Sequence, residues 1–184
     1  MSQTSVSAGG QSIGVAGQVS DSGDHDIDTG FNQNSAQMPF GYGVAKGNGE
    51  RAYALPSGVS GTIEIAGINV FSHNHVKAGA VDAAGNQSGD LGASGLLQNA
   101  SMQLGVKGRF WVPVAFAVNK GDRPYCYVIA TGTITQGAWV GSNMGASYVR
   151  DCRAQGRFVT GTFTSADGTV SVAVLEADFT NQPA

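Results

Sequence analysis

Apolar and polar residues alternate along this chain in short runs separated by turn signals. "TIEIAGINVF" (62–71) begins with strict alternation, Ile63 and Ile65 on one face, Thr62 and Glu64 on the other. That is the period-2 pattern of a strand. "GRFWVPVAFA" (108–117) is an aromatic and β-branched run. Pro113 inside it has no N–H to give to a ladder, so an edge strand or a bulged one is predicted. "YCYVIATGTI" (125–134) predicts a further strand. Near the C-terminus, "GRFVTGTFT", "SADG" and "TVSVAVLEADF" predict a β-hairpin. Asp167-Gly168 is the preferred pair for a two-residue type I′ turn. Val170, Val172 and Val174 then share one face, and Thr169, Ser171 and Ala173 share the other.

Shorter signals fill the rest. Lys46-Gly47-Asn48-Gly49 predicts a turn between two short strands. Residues 77–95 are Gly, Ala, Asp and Asn without periodicity, which predicts a surface loop. "LLQNASMQL" (96–104) fits one helical turn or a bent strand. No segment sustains a 3.6-residue period over ten positions. Turn signals recur at the spacing of a sandwich or barrel. The expected fold is mainly β: a compact antiparallel β-barrel or sandwich with little helix. Residues 1–19, small and polar, are expected to be a flexible N-terminal arm. Residues 20–184 are expected to be a single β-rich domain.

Composition narrows the function classes. Charged residues make up 12% of the chain and 28 of its 184 residues are glycine, against roughly 25% and 7% in ordinary soluble domains. A surface poor in Lys and Glu loses less solvation when covered, so it suits lasting contact with another protein. The formal net charge is −3 and the ten basic residues form no cluster, which argues against nucleic acid as a partner. No apolar run approaches the ~20 residues of a membrane span. The N-terminus lacks the basic start and apolar core of a secretory signal. Cys126, in "PYCYVIA", is expected in the core. Cys152, between Asp151 and Arg153, is expected near the surface. Neither has metal or redox spacing, and whether the two pair stays open.

The candidate chemistry is thin. Asp24-His25-Asp26-Ile27-Asp28-Thr29-Gly30 has D-x-D-x-D spacing. A calcium loop of the EF-hand type needs Gly at position 6 and Glu at position 12; here Thr29 and Ser35 stand there. The alternative is a solvated turn whose Asp side chains cap backbone N–H groups. His73 and His75 fall on one face of a strand without a third ligand nearby. Ser12 in "GQSIG" matches the nucleophile-elbow pattern but lacks the strand and helix that chemistry requires. No metal, cofactor or catalytic residue is assigned, and no enzymatic activity is expected. Trp111, Trp139, Tyr42 and Tyr53 leave one alternative: a non-catalytic glycan- or receptor-binding β-sandwich module on a virion.

"AGQVSDSGDHDIDTGFNQNSAQMPFGYGVAKGNG" (16–49) resembles the N-terminal signature of the structural cement, or head decoration, proteins of tailed bacteriophages. The matching positions are Ala16-Gly17, Asp21-Ser22, Asp26-Ile27, Met38-Pro39-Phe40-Gly41 with Val44, and Leu55-Pro56-Ser57-Gly58. "GINVFSHNH", "LGVKGRFWVPV" and "VNKGDRPYCYV" continue the likeness in order. Lys107 stands where Arg is usual, and Arg123-Pro124 interrupts the last motif. The resemblance implies a virion protein, made in the host cytoplasm, that binds the outside of the expanded head. It implies that the major capsid protein is the partner, and that homo-trimers sit at three-fold or quasi-three-fold positions. On this reading Asp24, His25, Asp26, Asp28, Phe31, Met38, Phe40 and Trp111 are expected at the capsid or subunit interface. The arm is expected to add a strand to a capsid sheet edge. Removing residues 1–19 is then expected to abolish head binding while the β domain still folds.

Overall fold

The computed structural model describes residues 14–20, 23–58, 63–71, 80–81, 87–88, 95–145, 147–152, 155–166, 168 and 170–180. Among these there is no helix. The strands are β1 (Asp26–Asn32), β2 (Gly43–Lys46), β3 (Ala52–Ala54), β4 (Ile65–Val70), β5 (Ala80–Val81), β6 (Gln87–Ser88) and β7 (Ser101–Pro113). They continue as β8 (Tyr125–Tyr127), β9 (Trp139–Val140), β10 (Val149–Asp151), β11 (Gly156–Phe158), β12 (Phe163–Thr164) and β13 (Ser171–Asp178). The main sheet runs β1-β3-β2-β4-β7-β13-β11, and β1 also pairs with β7. The first five strands of that path therefore close into a barrel, and β13, β11 and β12 extend it. Only β1 and β3 pair in parallel within this sheet. A second sheet, β10-β8-β9, leans on the barrel through a Val114–Trp139 bridge and the Trp139 Nε1 hydrogen bond to Gly41 O at 3.0 Å.

Strand β7 organises the whole. It pairs with β1 over 101–107, with β4 over 103–105 and with β13 over 107–113. Its side chains alternate around two glycines, Gly105 and Gly108. Met102, Leu104, Phe110 and Val112 are buried in the core, while Ser101, Lys107 and Arg109 face out. Of the two expectations, an edge strand is corrected: β7 is the most paired strand among the described residues, and it is bulged against β1 at Val106, not at Pro113. Pro113 is tolerated because it is the last residue of β7, and the next N–H, of Val114, bonds Ser171 O.

The C-terminal hairpin is real but segmented. β12 pairs with β13 at Phe163–Val172, and β11 pairs with it farther on at Arg157–Glu176. The turn is closed at Ser165, whose oxygen accepts from Gly168 N and whose N–H donates to Val170 O. Gly168 takes φ +72°. The tight closure expected around Asp167-Gly168 is therefore a wider loop. Val172 and Val174 share the face of Trp111, while Ala173, Leu175 and Ala177 enter the main core. Both faces of β13 are buried there, because a second layer covers the valines.

Ala16 and Val159 supply that layer, and Ala16 belongs to the segment 14–20, whose residues 14–19 are expected from sequence to lie in the arm. Here it is hydrogen-bonded along β7: Gly17 N to Trp111 O, Trp111 N to Gln18 O, and Ser20 N to Arg109 O. Phe71 N donates to Gly17 O, and Ala166 N to Gly14 O. Gly14 lies so close that a Cβ would overlap the Trp111 ring. Gly17 sits at φ +85° with backbone N atoms of Gly41 and Phe71 3.0 Å from where its Cβ would be. Covering one face of a Trp ring removes roughly 100 Å² of apolar surface from water, worth about 2–3 kcal/mol.

Three other expectations are corrected. Residues 125–134 form only the short β8. After it the chain turns, with a Thr131–Ile134 bridge and Gly132 at φ +55°. Residues 96–100 form a turn with Asn99 at φ 62°, and the strand starts at Ser101. The predicted 77–95 loop contains the β5–β6 pair; its remaining residues up to 94 lie outside the described ones. The Lys46–Gly49 turn between β2 and β3 is found as predicted.

Two buried asparagines hold the barrel's irregular segments. Asn32 Nδ2 donates to Leu96 O and Leu97 O, each at 3.0 Å, and its Oδ1 accepts from Asn34 N. Asn69 Nδ2 donates to Met38 O and Pro39 O. Replacing Asn32 by Ala leaves Leu96 O and Leu97 O their bonds from Met38 N and Ala100 N but takes the acceptor from Asn34 N–H, and is expected to cost about 1–2 kcal/mol, measured by urea unfolding. A loss below about 0.5 kcal/mol would mean that the clamp is dispensable.

Cys152, expected near the surface, is buried at 2% exposure, and Cys126 is fully buried; both are free thiols. Cys152 has an inward position next to the β8–β10 ladder, its N–H bonded to Pro124 O. Burial pushes the Cys152 thiol up to about 12 and the Cys126 thiol well above its ordinary value of 9.0. At pH 8 neither thiol is expected to react with Ellman's reagent in the native protein, and both react in guanidinium. The unfolded chain ionises its thiols first. Stability is thus undiminished below about pH 8.5 and falls as pH rises through 9.

Candidate functional site

The stretch from Asp24 to Asp28 is neither a free turn nor a cage. It leads into β1, which lies antiparallel on β7 with Ile27 opposite Gly105 and Asp28 opposite Leu104. Ile27 turns inward and packs against the main core. Alternation then sends Asp26 and Asp28 to the other side, where both are exposed, as are Asp24 and His25. The ladder shifts register between Asp26 and Ile27, a bulge of the kind that re-aims side chains. Thr29 N–H donates to Asp28 Oδ1 at 2.7 Å, and His25 Nδ1 lies 2.8 Å from Gly23 O. Among the described residues no three His, Cys, Asp or Glu side chains come together as a metal would require. The carboxylates instead line the solvent face of β1, which is paired with β7 along this stretch. His73, His75 and Ser12 lie outside the described residues.

The other expected interface residues divide. Phe31 and Phe40 are half-buried, Phe40 packed edge-on to Phe71 at 5.1 Å. Met38 is fully buried, bonded through its backbone to Leu96. Trp111 is 4% exposed, beneath Gly14 and Ala16 and edge-on to Phe163 at 6.0 Å. Neither has surface to offer a partner in this arrangement, so their place at an interface is corrected to packing within the chain. Trp139 is buried too. An aromatic sugar platform built on the two tryptophans is therefore ruled out.

The sequence reading missed a charged cluster on the outer face of β7, β13 and β11. Direct cross-strand partners form the row Arg109–Glu176–Arg157. Arg109 Nη2 and Nε reach Glu176 Oε2 at 2.7 and 2.8 Å, and Arg157 Nη2 reaches Oε1 at 3.3 Å. The next outward row places Lys107 between Asp26 and Asp178, with Nζ 3.8 Å from Asp178 Oδ2. The Thr180 hydroxyl and N–H hold the Asp178 carboxyl below the usual range, and Lys107 adds to this. These rows border a cleft of about 750 Å³ lined also by Asp24 and Gln155. The clue in the sequence was i, i+2 charge spacing in "VKGRF" and "LEADF". It becomes legible only when the two strands are paired.

Alternating charges across neighbouring strands fix register, because a slip brings like charges opposite. They offer no nucleophile and no acid–base pair. Glu176→Gln is expected to lower stability by about 0.5–1 kcal/mol at low salt, and by less at 1 M salt. A loss unchanged by salt would show that packing, not charge, holds the rows together.

The family model described as structural cement protein (E217 gp24/Pam3 gp6) matches residues 2–178. Among solved structures, a chain from "The capsid of Myoviridae Phage XM1" is similar at 19% identity, with 91% of each chain covered and a TM-score of 0.63. That likeness carries the fold. No curated protein matches the chain.

Proposed function

The chain belongs to the structural cement protein family, and we propose from this membership that it binds the outside of the expanded phage head and clamps neighbouring major capsid protein subunits. Its role is that of a capsid cement or decoration protein, associated with the virion. The family is a structural one, and in our reading this chain performs no catalysis and needs no cofactor. We further propose that it is made in the host cytoplasm and acts as a homo-trimer at three-fold or quasi-three-fold positions. Many weak contacts made at once would then raise avidity without any strong single site.

The observation that carries the contact surface is the exposed acidic strand. Asp24, His25, Asp26 and Asp28 stand clear of the barrel in a chain otherwise poor in charge. Phe31, on β1, and Phe40, packed edge-on to Phe71, are the half-buried apolar members of the proposed interface. Such a face fits a basic segment of the capsid protein. Residues before Gly14 would add a strand to a capsid sheet, as extended segments commonly do. The deletion that tests the arm ends at residue 13, because removing 14–19 also uncovers Trp111.

The triple variant D24N/D26N/D28N is expected to keep its melting temperature. Its affinity for expanded heads, measured by co-sedimentation, is expected to fall at least tenfold and to lose much of its salt dependence. Unchanged binding by the triple variant would remove this strand from the interface.

A further inference from the structure

A clamp needs two contact surfaces, and the acidic strand provides one. We propose that the second is an apolar apron formed by Phe163, Val170 and Phe116 at the far end of β7, and that its occupant is an apolar patch on the neighbouring major capsid subunit. This rests on the cement reading above.

The outer face of β7 and β13 changes character along its length. Near Lys107, Arg109, Glu176 and Asp178 it is charged; beyond Trp111 it is apolar. Val174 lies opposite Trp111, and Val172 lies between Pro113 and Phe163. An uncovered sheet face of this kind is normally polar. Here Ala16 and Val159 pack on Trp111, Val172 and Val174, which are at most 4% exposed. The Gly14 carbonyl accepts from Ala166 N in the β12–β13 loop. Immediately past that point Phe163 is 37% and Val170 40% exposed. Phe116, 47% exposed, lies on the loop from Val114, bonded to Ser171, to Val118, bonded to Thr162. Three of the five exposed large apolar side chains among the described residues thus surround one end of the sheet.

The thirteen residues that precede Gly14 begin at this same end. Extended, they reach at most about 45 Å. If they engage the shell, they draw the apron onto it. The acidic strand pairs with the first half of β7 and the apron borders its last residues. One rigid strand therefore holds the two surfaces apart, as bridging two subunits requires. The chemistry differs between them: charge sets approach at the first, and water exclusion sets residence time at the second.

The test uses full-length protein, purified expanded heads and the variant F116S/V170T, which spares Phe163 because that ring packs on Trp111. The variant is expected to melt within a few degrees of wild type and to bind heads at least tenfold more weakly. Its residual binding should keep the wild-type salt dependence, since the acidic strand is intact. Wild-type affinity in the folded variant would overturn the proposal. Should the variant not fold, hydrogen exchange on the wild-type protein decides: the amides of 163–171 slow on adding heads if the apron docks, and an unchanged rate overturns it. A wild-type dimer in solution that F116S/V170T makes monomeric would also overturn it, by assigning the apron to a second copy. Failure of wild type itself to bind heads would instead sink the cement reading, and the apron with it.

Discussion

The fold depends on one strand being hydrogen-bonded on both edges. At Gly105, β7 has Ile27 on one side and Ile68 on the other; at Phe110 it has Val19 and Leu175. A 13-residue strand with partners on both sides leaves few of its polar groups to be satisfied by water. It also ties the closed barrel to the extension in one covalent piece. Anything that shortened β7 would open the barrel at one end and release β13 at the other. Pro113 sits where this arrangement permits it, at the last pairing position.

Barrel closure removes the edges of five strands but not of the whole sheet. The remaining exposures are handled in different ways. Beside Arg109 and Lys107 the outer face carries paired charges, which cost little to leave in water. Over Trp111 it carries a strap in which Gly14 permits the closest approach to the ring and Gly17 supplies a left-handed turn. A side chain at either position would lift the strap and uncover an indole. The buried Asn32 and Asn69 perform the matching task inside, bonding carbonyls of segments that have no ladder of their own.

How much of this was legible in the sequence follows from range. Local patterns spoke clearly. The Lys46–Gly49 turn, the 62–71 strand, found as Ile65–Val70, and the C-terminal hairpin each rest on residues close in sequence. The class, all-β with a barrel among the options, followed from turn spacing and the missing helical period. What failed was long-range. Two glycines, Gly105 and Gly108, interrupt the alternation of β7, so the strand seemed to start at 108 instead of 101. The covering segment around Gly17 is small and polar in composition, and only its partner Trp111 explains it. Cys152 is flanked by charges, yet strand alternation turns its thiol inward while Asp151 lies outside the core. Met38 and Trp111 belong to motifs of the resemblance, and a motif carries packing as readily as contact.

A protein with few charges faces a physical conflict. A low-charge surface is inexpensive to bury against a partner but poorly protected from burying itself against copies. This chain resolves it by placement. Six of its charged side chains, Asp24, Lys107, Arg109, Arg157, Glu176 and Asp178, line one cleft, and Asp26 and Asp28 guard the adjoining strand. The Arg109–Glu176–Arg157 and Lys107–Asp178 rows stay hydrated and fix register. The apolar half is roofed by Ala16 of the N-terminal strap and by Val159, and among the described residues Phe163, Val170 and Phe116 are left exposed at its rim. A small apolar contact of that size, well below what a stable pair of proteins buries, holds weakly by itself. It becomes effective only where a second contact on the same rigid strand is already made, and that is the condition met on a surface built of repeated subunits.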